Sequence, residues 1–209
     1  MPRFDIPYFT FADYSPRGQN EHSRRSQRLV KGVKRSNPGL LKSLAEAIST
    51  APAASIIRDE LRNSVLVPVP RSAPLVAGAI WPSKEICLAL LDLKLAGGIE
   101  ESLHRVAAVN KSSTASQGQR PNAEAHCGSM SCDYELIGPP KVIIVDDVLT
   151  LGATAAGCAL RIRASSPATS VSLFSVFRTL GFLPNIEKVV NPDRGKITHH
   201  NSGKVWREP

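Results

Sequence analysis

The sequence predicts an α/β protein with a mostly parallel central sheet flanked by helices. Three observations carry this. Val142, Ile143, Ile144 and Val145 form a short β-branched apolar run, the pattern of a strand buried on both faces. Helical spacing recurs elsewhere: Leu40, Leu41, Leu44, Ala47 and Ile48 share one face, and Ile86, Leu90, Leu91 and Leu93 share another. Strand-like and helix-like segments then alternate along the chain, as βαβ units require.

Residues 1 to 20 contain Pro2, Pro7 and Pro16 among scattered aromatics and read as an extended arm or hood segment. Asn20 is a capping residue for a basic helix from Glu21 to Lys34. Asn37 followed by Pro38 predicts a second helix start, because proline suits the first helical turn. Ser64 to Val69 reads as a strand ending in Val67-Pro68-Val69-Pro70, with Arg71 and Ser72 next. Ser83 can cap a helix to about Ala96, closed by Gly97 and Gly98. A strand near Leu103 to Val109 precedes a polar stretch from Asn110 to Pro121, of the kind that carries function. A short helix is expected near Asn122 to Met130. The strand at Lys141, a helix from Ala155 to Ala164 and a strand from Val171 to Phe177 make one right-handed βαβ unit. Residues 191 to 209 are polar and take no predicted element. The expected organisation is a basic arm with helices over residues 1–63, a core over 64–180, and a polar segment over 181–209 available to a hood.

At 209 residues the chain suits one substantial α/β domain with appendages. Hydrophobic residues at 42% against aromatics at 5% leave aliphatic side chains to fill the core. There is no apolar run of membrane-spanning length, and the first residues lack the basic-then-apolar pattern of a secretory signal. Cys87, Cys127, Cys132 and Cys158 have no zinc-ligand spacing and read as reduced structural thiols, which points to the cytoplasm. The net charge of +8 is uneven: Met1 to Arg35 holds eight Lys or Arg against three Asp or Glu. Nucleic acid and a polyanionic small substrate are both candidate partners for residues 1 to 35, and a solvated basic helix with no partner explains the charge equally well.

The most informative stretch is Lys141 to Thr154, KVIIVDDVLTLGAT. Its apolar strand ends in two carboxylates, Asp146 and Asp147. A small turn with hydroxyls (Thr150, Leu151, Gly152, Ala153, Thr154) then opens an Ala-rich helix. Free backbone N–H groups and the helix dipole converge at such a helix start and suit an anion. The acids would repel a phosphate, so they need another partner. Ribose hydroxyls are the natural one, since a carboxylate accepts hydrogen bonds from a vicinal diol. Together these groups suit a ribose 5-phosphate.

The stretch resembles the phosphoribosyl-pyrophosphate (PRPP) binding loop of the type I phosphoribosyltransferase family, and the Val67-to-Arg71 element resembles that of ComF/GntX-like members. The resemblance covers about Ser64 to Phe177. It implies the family's Rossmann-like fold with a hood from the terminal segments. The activity it implies is transfer of ribose 5-phosphate from PRPP to a nitrogenous, nucleobase-like acceptor with release of pyrophosphate. Carried over, Asp146 and Asp147 would hold the ribose hydroxyls and stabilise positive charge on the ring. Thr150, Leu151, Gly152, Ala153 and Thr154 would bind the 5-phosphate, with Gly152 allowing close approach. Pro70, Arg71 and Ser72 would form the pyrophosphate loop, with Arg105 assisting. The polar stretch occupies the place of the family's flexible loop, and Lys111 and Arg120, with Ser112, would reach the leaving group. A Mg2+ ion is implied, held mainly by substrate and water rather than by direct protein ligands. Leu151 stands where family members usually carry Thr or Ala, so its side chain is expected to point away. The cysteine-rich zinc segment that often precedes the ComF core is absent.

Other constellations are weaker. No Gly-x-x-x-x-Gly-Lys-Ser/Thr loop accompanies the acid pair, which argues against a nucleoside triphosphatase. His126 beside Cys127 reads as packing, and so does Trp81. His199 and His200 read as solvated. Trp206 reads as packing on the hood, with base stacking as its alternative. Two further functions stay open: a PRPP- or nucleotide-binding regulator, and a nucleic-acid-associated effector on the same fold. The acceptor and the oligomeric state, a homodimer among the options, are open.

Overall fold

The structure, a computed structural model, describes residues 3–110, 121–133, 141–167, 169–181 and 183–208. β1 (Phe4–Tyr14) leads into α1 (Glu21–Lys34), α2 (Pro38–Thr50) and α3 (Ser55–Leu61). β2 (Val65–Pro68), α4 (Pro82–Asp92) and β3 (Gly98–Ile99) follow, then β4 (Leu103–Arg105), α5 (Ala123–Gly128) and β5 (Met130–Cys132). β6 (Lys141–Leu149), α6 (Ala153–Ser165), β7 (Ser170–Thr179), β8 (Val190–His199) and β9 (Val205–Glu208) complete the order.

Seven strands form one sheet in the order β3-β2-β6-β7-β1-β8-β9. The strands from β3 to β1 run parallel, and β8 and β9 add antiparallel strands at one edge. β4 and β5 form a separate antiparallel ladder. β6 shows why its run must be apolar throughout. Ile143 and Val145 pack with α1 to α4 on one face, whereas Val142 and Ile144 pack with α6 on the other.

Local chemistry sets the helix starts. The Asn20 side chain accepts from Ser23 N–H over 2.8 Å, Asn37 from Leu40 N–H over 2.9 Å, and Asn122 from Ala125 N–H over 2.9 Å. α4 begins one residue before the expected cap. Pro82 takes its first position, Ser83 is buried within the turn, and the preceding Trp81 donates its indole N–H to Val69 C=O at 2.7 Å. α6 packs closely on α5 because it is built of small residues. A Cβ on Gly157 would lie 2.4 Å from the Cβ of His126.

Both chain ends depart from expectation. Phe4–Tyr14 is an internal strand between β7 and β8 rather than an arm or hood. Burying Tyr8, Phe9 and Phe11, each contributing about 1.5–3 kcal/mol, outweighs the proline signal. Pro7 precedes Tyr8, where the register with β7 begins, so its missing N–H interrupts no bond of that ladder. Residues 190–208 supply β8 and β9; β8 buries only Ile197, Thr198 and His199, which explains its polar sequence. His199 is therefore buried, not solvated. The division into 1–63, 64–180 and 181–209 does not follow the sheet, which draws strands from all three stretches.

No single helix is long and apolar enough to cross a membrane among the described residues. The bent pair of α2 with the segment 52–61 has the length and composition, but Leu41, Ile48, Ile57 and Leu61 sit in the core. All four cysteines are free thiols.

Candidate functional site

The connections create a crevice at one place in the sheet. From β2 the chain passes through α4 to β3 on one side, and from β6 through α6 to β7 on the other. α4 and α6 lie on opposite faces, so the carboxyl ends of β2 and β6 flank a topological switch point. The register Pro68↔Val145 and the Val69 N–H to Val145 C=O bond of 2.9 Å bring the Pro70-Arg71-Ser72 loop beside Asp146 and Asp147.

The two acids are half-buried and tied together. Asp147 N–H donates to Asp146 Oδ1 over 2.9 Å, and Lys34 Nζ from the end of α1 lies 4.0 Å from Asp147 Oδ2. Burial, and then the Asp147 charge, push the Asp146 carboxyl well above its ordinary range. A polarised acid at a strand end is an unfavourable arrangement that a ligand can relieve.

Gly152 closes the turn after the acids with φ +92°, in the left-handed region, and caps α6. The first helix bond runs from Ala156 N–H to Gly152 C=O at 2.8 Å. The amides of Ala153, Thr154 and Ala155 therefore have no helix partner and are open to an anion. Leu151 projects outward, 57% exposed, as its size requires. The Thr154 hydroxyl lies 3.3 Å from His126 Nε2. Burial, with Arg105 nearby, lowers the His126 pKa to about 4, so this imidazole is neutral at pH 7.

A cavity of about 470 Å³ opens over the turn, lined among others by Asp146, Thr150, Thr154, Asn122, Lys204 and Trp206. Its roof is the β8–β9 hairpin, fastened at three points. Arg207 donates to Leu149 C=O at 3.2 Å and to Thr179 C=O at 2.8 Å. His199 Nε2 meets Glu124 Oε1 at 2.9 Å, and the glutamate's carboxylate abuts Gly203 in the hairpin turn. Trp206 is left 58% exposed at the cavity rather than packed into a core.

The expected residues divide clearly. Asp146, Asp147 and the turn Thr150–Thr154 come together, with the Pro70-Arg71-Ser72 loop alongside. Arg71 is exposed, and Ser72 C=O is taken by Val109 N–H at 2.8 Å. Arg105 is not presented to the crevice. It is 5% exposed and donates to Arg71 C=O at 2.8 Å, to His126 C=O at 3.2 Å and to the Ser129 hydroxyl. It is a strut that joins the loop after β2 to α5. Lys111, Ser112 and Arg120 lie outside the described residues. Asn122, Lys204 and Arg207 are not among the site residues expected from the sequence, and Trp206, expected to pack on the hood with base stacking as the alternative, is exposed instead. The one available signal was the aromatic residue itself within a polar tail.

No family model matches the chain, and no curated protein matches it. Among solved structures it is similar to an adenine phosphoribosyltransferase from Leishmania donovani, at 14% identity over 85% of this chain and 84% of that chain, with a TM-score of 0.27. At that identity and score the likeness decides nothing about chemistry.

Proposed function

We propose that this protein is a phosphoribosyltransferase that moves ribose 5-phosphate from PRPP to a planar nitrogenous acceptor and releases pyrophosphate. The observation that carries the reading is the pairing of Asp146-Asp147 with a left-handed Gly152 and free α6 amides at one switch-point crevice. Amides of residues 153–155 and the Thr150 and Thr154 hydroxyls bind the 5-phosphate. The two carboxylates accept hydrogen bonds from the vicinal ribose hydroxyls. As the bond from C1 to the diphosphate oxygen breaks, positive charge grows on the ring and the carboxylates stabilise it. An acceptor nitrogen then bonds to C1 and loses its proton to solvent or a basic group. Arg71, with Lys111 and Arg120, supplies cationic partners for the departing diphosphate.

Mg2+ would be held mainly by substrate oxygens and water rather than by direct protein ligands, as suits a small hard ion that keeps several waters. When bound it neutralises diphosphate charge. Trp206 over the cavity gives the acceptor a stacking face, worth about 1–3 kcal/mol for a base. The reading places the protein in the cytoplasm, where PRPP and free bases are met.

A second reading, a PRPP- or nucleotide-binding regulator, is favoured by Leu151 in the phosphate turn. One experiment separates them: PRPP, Mg2+ and a nucleobase panel, with pyrophosphate assayed and PRPP binding followed by calorimetry. Acceptor-dependent release, abolished in Asp146→Asn/Asp147→Asn, supports transfer. Binding without release supports the regulator, absence of PRPP binding sinks the transferase, and absence of nucleotide binding as well sinks both.

A further inference from the structure

The outer face of α1 is a row of cations whose one side-chain hydrogen bond among the described residues is a long, exposed one, from Arg24 to Gln19 Oε1 at 3.5 Å. Arg24, Arg28, Lys31 and Arg35 are spaced four, three and four residues apart and all are exposed. On a helix these positions fall within about 60° of one another. The opposite side carries Ser23, Ser26, Val30 and Val33, all buried against the sheet and α2. None of the four cations pairs with a carboxylate among the described residues; Lys34, on the flank, is the cation of this helix that does, at 4.0 Å from Asp147. Glu21 is the one acid on the helix and sits in its first turn, where it complements the dipole. A cleft of about 400 Å³ runs beside the row, lined by Gln19, Arg24, Gln27, Arg28 and Lys31.

We infer that this face of α1 binds the phosphodiester backbone of a nucleic-acid strand. Four like charges held in line repel one another and lower stability, so the row is a liability without an anionic partner. The row is about 16 Å long, which matches about five phosphates of one strand. The Gln27 amide is committed to the carbonyls of Ser15 and Gly18, at 3.0 and 2.9 Å, so the cations are the donors of this face, and no aromatic residue is present on it. Contacts are therefore to phosphates, without reading of sequence. An anionic membrane is the poorer partner. An interfacial helix needs exposed apolar residues beside its basic face, and here Val30 and Val33 are in the core. The row ends at Arg35, next to Lys34, which lies 4.0 Å from Asp147 at the crevice. The inference is independent of the transferase reading and would stand if that reading failed.

The test is fluorescence anisotropy of the full chain with labelled single-stranded RNA and DNA oligomers about 20 nucleotides long, across about 50–200 mM salt. Vesicles containing phosphatidylserine form a parallel arm. Binding is expected to weaken with salt with a log–log slope near −3, as four phosphate contacts on a single strand give. Arg24→Gln/Arg28→Gln/Lys31→Gln is expected to bind at least about tenfold more weakly and to flatten the slope by about 2. The comparison variant Arg62→Gln/Lys84→Gln/Lys94→Gln removes the same charge elsewhere and is expected to bind as the parent does. Arg24→Lys/Arg28→Lys keeps the charge and is expected to keep most of the affinity. A preference between RNA and DNA identifies the strand. Four results overturn the inference: no binding to either strand at the lowest salt, affinity unchanged in the α1 variant, equal loss in the comparison variant, or tighter binding to vesicles than to both strands.

Discussion

Gly152 and Ile197 share one space. A Cβ added at Gly152 would lie 2.8 Å from the Cδ1 of Ile197, a fully buried residue of β8. The glycine is thus required twice, by its positive φ and by the close approach of the carboxyl-terminal strand. This contact makes the geometry of the turn at Gly152 depend on β8.

Gly152→Ala is expected to lower stability by about 2–4 kcal/mol, from backbone strain and overpacking together, and to abolish PRPP binding. Ile197→Ala in the same chain removes the clash and leaves the unfavourable φ. The double variant should therefore be less destabilised than the two single effects summed. Urea titrations of the three variants measure this, and strict additivity would contradict the shared space.

Asp146 is a half-buried acid whose ionisation costs the fold stability. Its folded pKa is raised, so the folded state holds the proton more tightly than the unfolded chain. Below the ordinary value of 3.8 both states are protonated and the group has no effect. As pH rises through that value the unfolded chain ionises first, and stability falls until the folded carboxyl also ionises. Asp146→Asn is therefore expected to melt higher than the parent at pH 7, by about 2–4 °C for each kcal/mol relieved, with the difference closing toward pH 3. The same variant should lose PRPP binding in calorimetry. A variant that melts lower at pH 7 would refute the strained-acid account.

Arg105 and Arg71 separate strut from ligand. Arg105→Met leaves the Arg71 carbonyl and the Ser129 hydroxyl oxygen without their side-chain donor and the His126 carbonyl with the Ser129 hydroxyl alone, and is expected to cost about 2–4 kcal/mol. Arg71→Gln, at an exposed position, should leave the denaturation midpoint within about 0.5 kcal/mol of the parent while raising the KM for PRPP. Reversed effects, with Arg71 governing stability and Arg105 only affinity, would restore Arg105 to the diphosphate.

The legible parts of this fold were those where local chemistry and tertiary packing agree. Asn20, Asn37 and Asn122 cap the helices they announce, and the Val142–Val145 run is the buried strand its composition requires. The acid pair and the turn at Gly152 were legible because strand, charge and helix start lie within one continuous stretch. β1 was hidden because the residues it pairs with in β7 and β8 lie at least 165 positions away in the chain, as Tyr8 and Leu173 do, and only their pairing makes a strand containing Pro7 worthwhile. β8 and β9 were hidden by polarity, since an edge strand buries little. Arg105 illustrates the remaining difficulty: an arginine near a phosphate loop looks the same in sequence whether it binds substrate or a backbone carbonyl.

Trp206 gives the sharpest test of the acceptor side. Its ring is more than half exposed and belongs to no core cluster, so Trp206→Ala should change stability by no more than about 0.5 kcal/mol. On the proposed reading PRPP is bound by the turn and the acids, so its affinity should stay within about twofold of the parent by calorimetry, since Arg207, not Trp206, fastens β9 to Leu149. Stacking on a planar acceptor contributes about 1–3 kcal/mol, so acceptor KM should rise by about 5- to 150-fold. Trp206→Phe should recover part of that loss, because a smaller ring keeps a face for stacking. If acceptor KM is unchanged in Trp206→Ala, the ring does not face the acceptor and the hairpin only covers the phosphate turn.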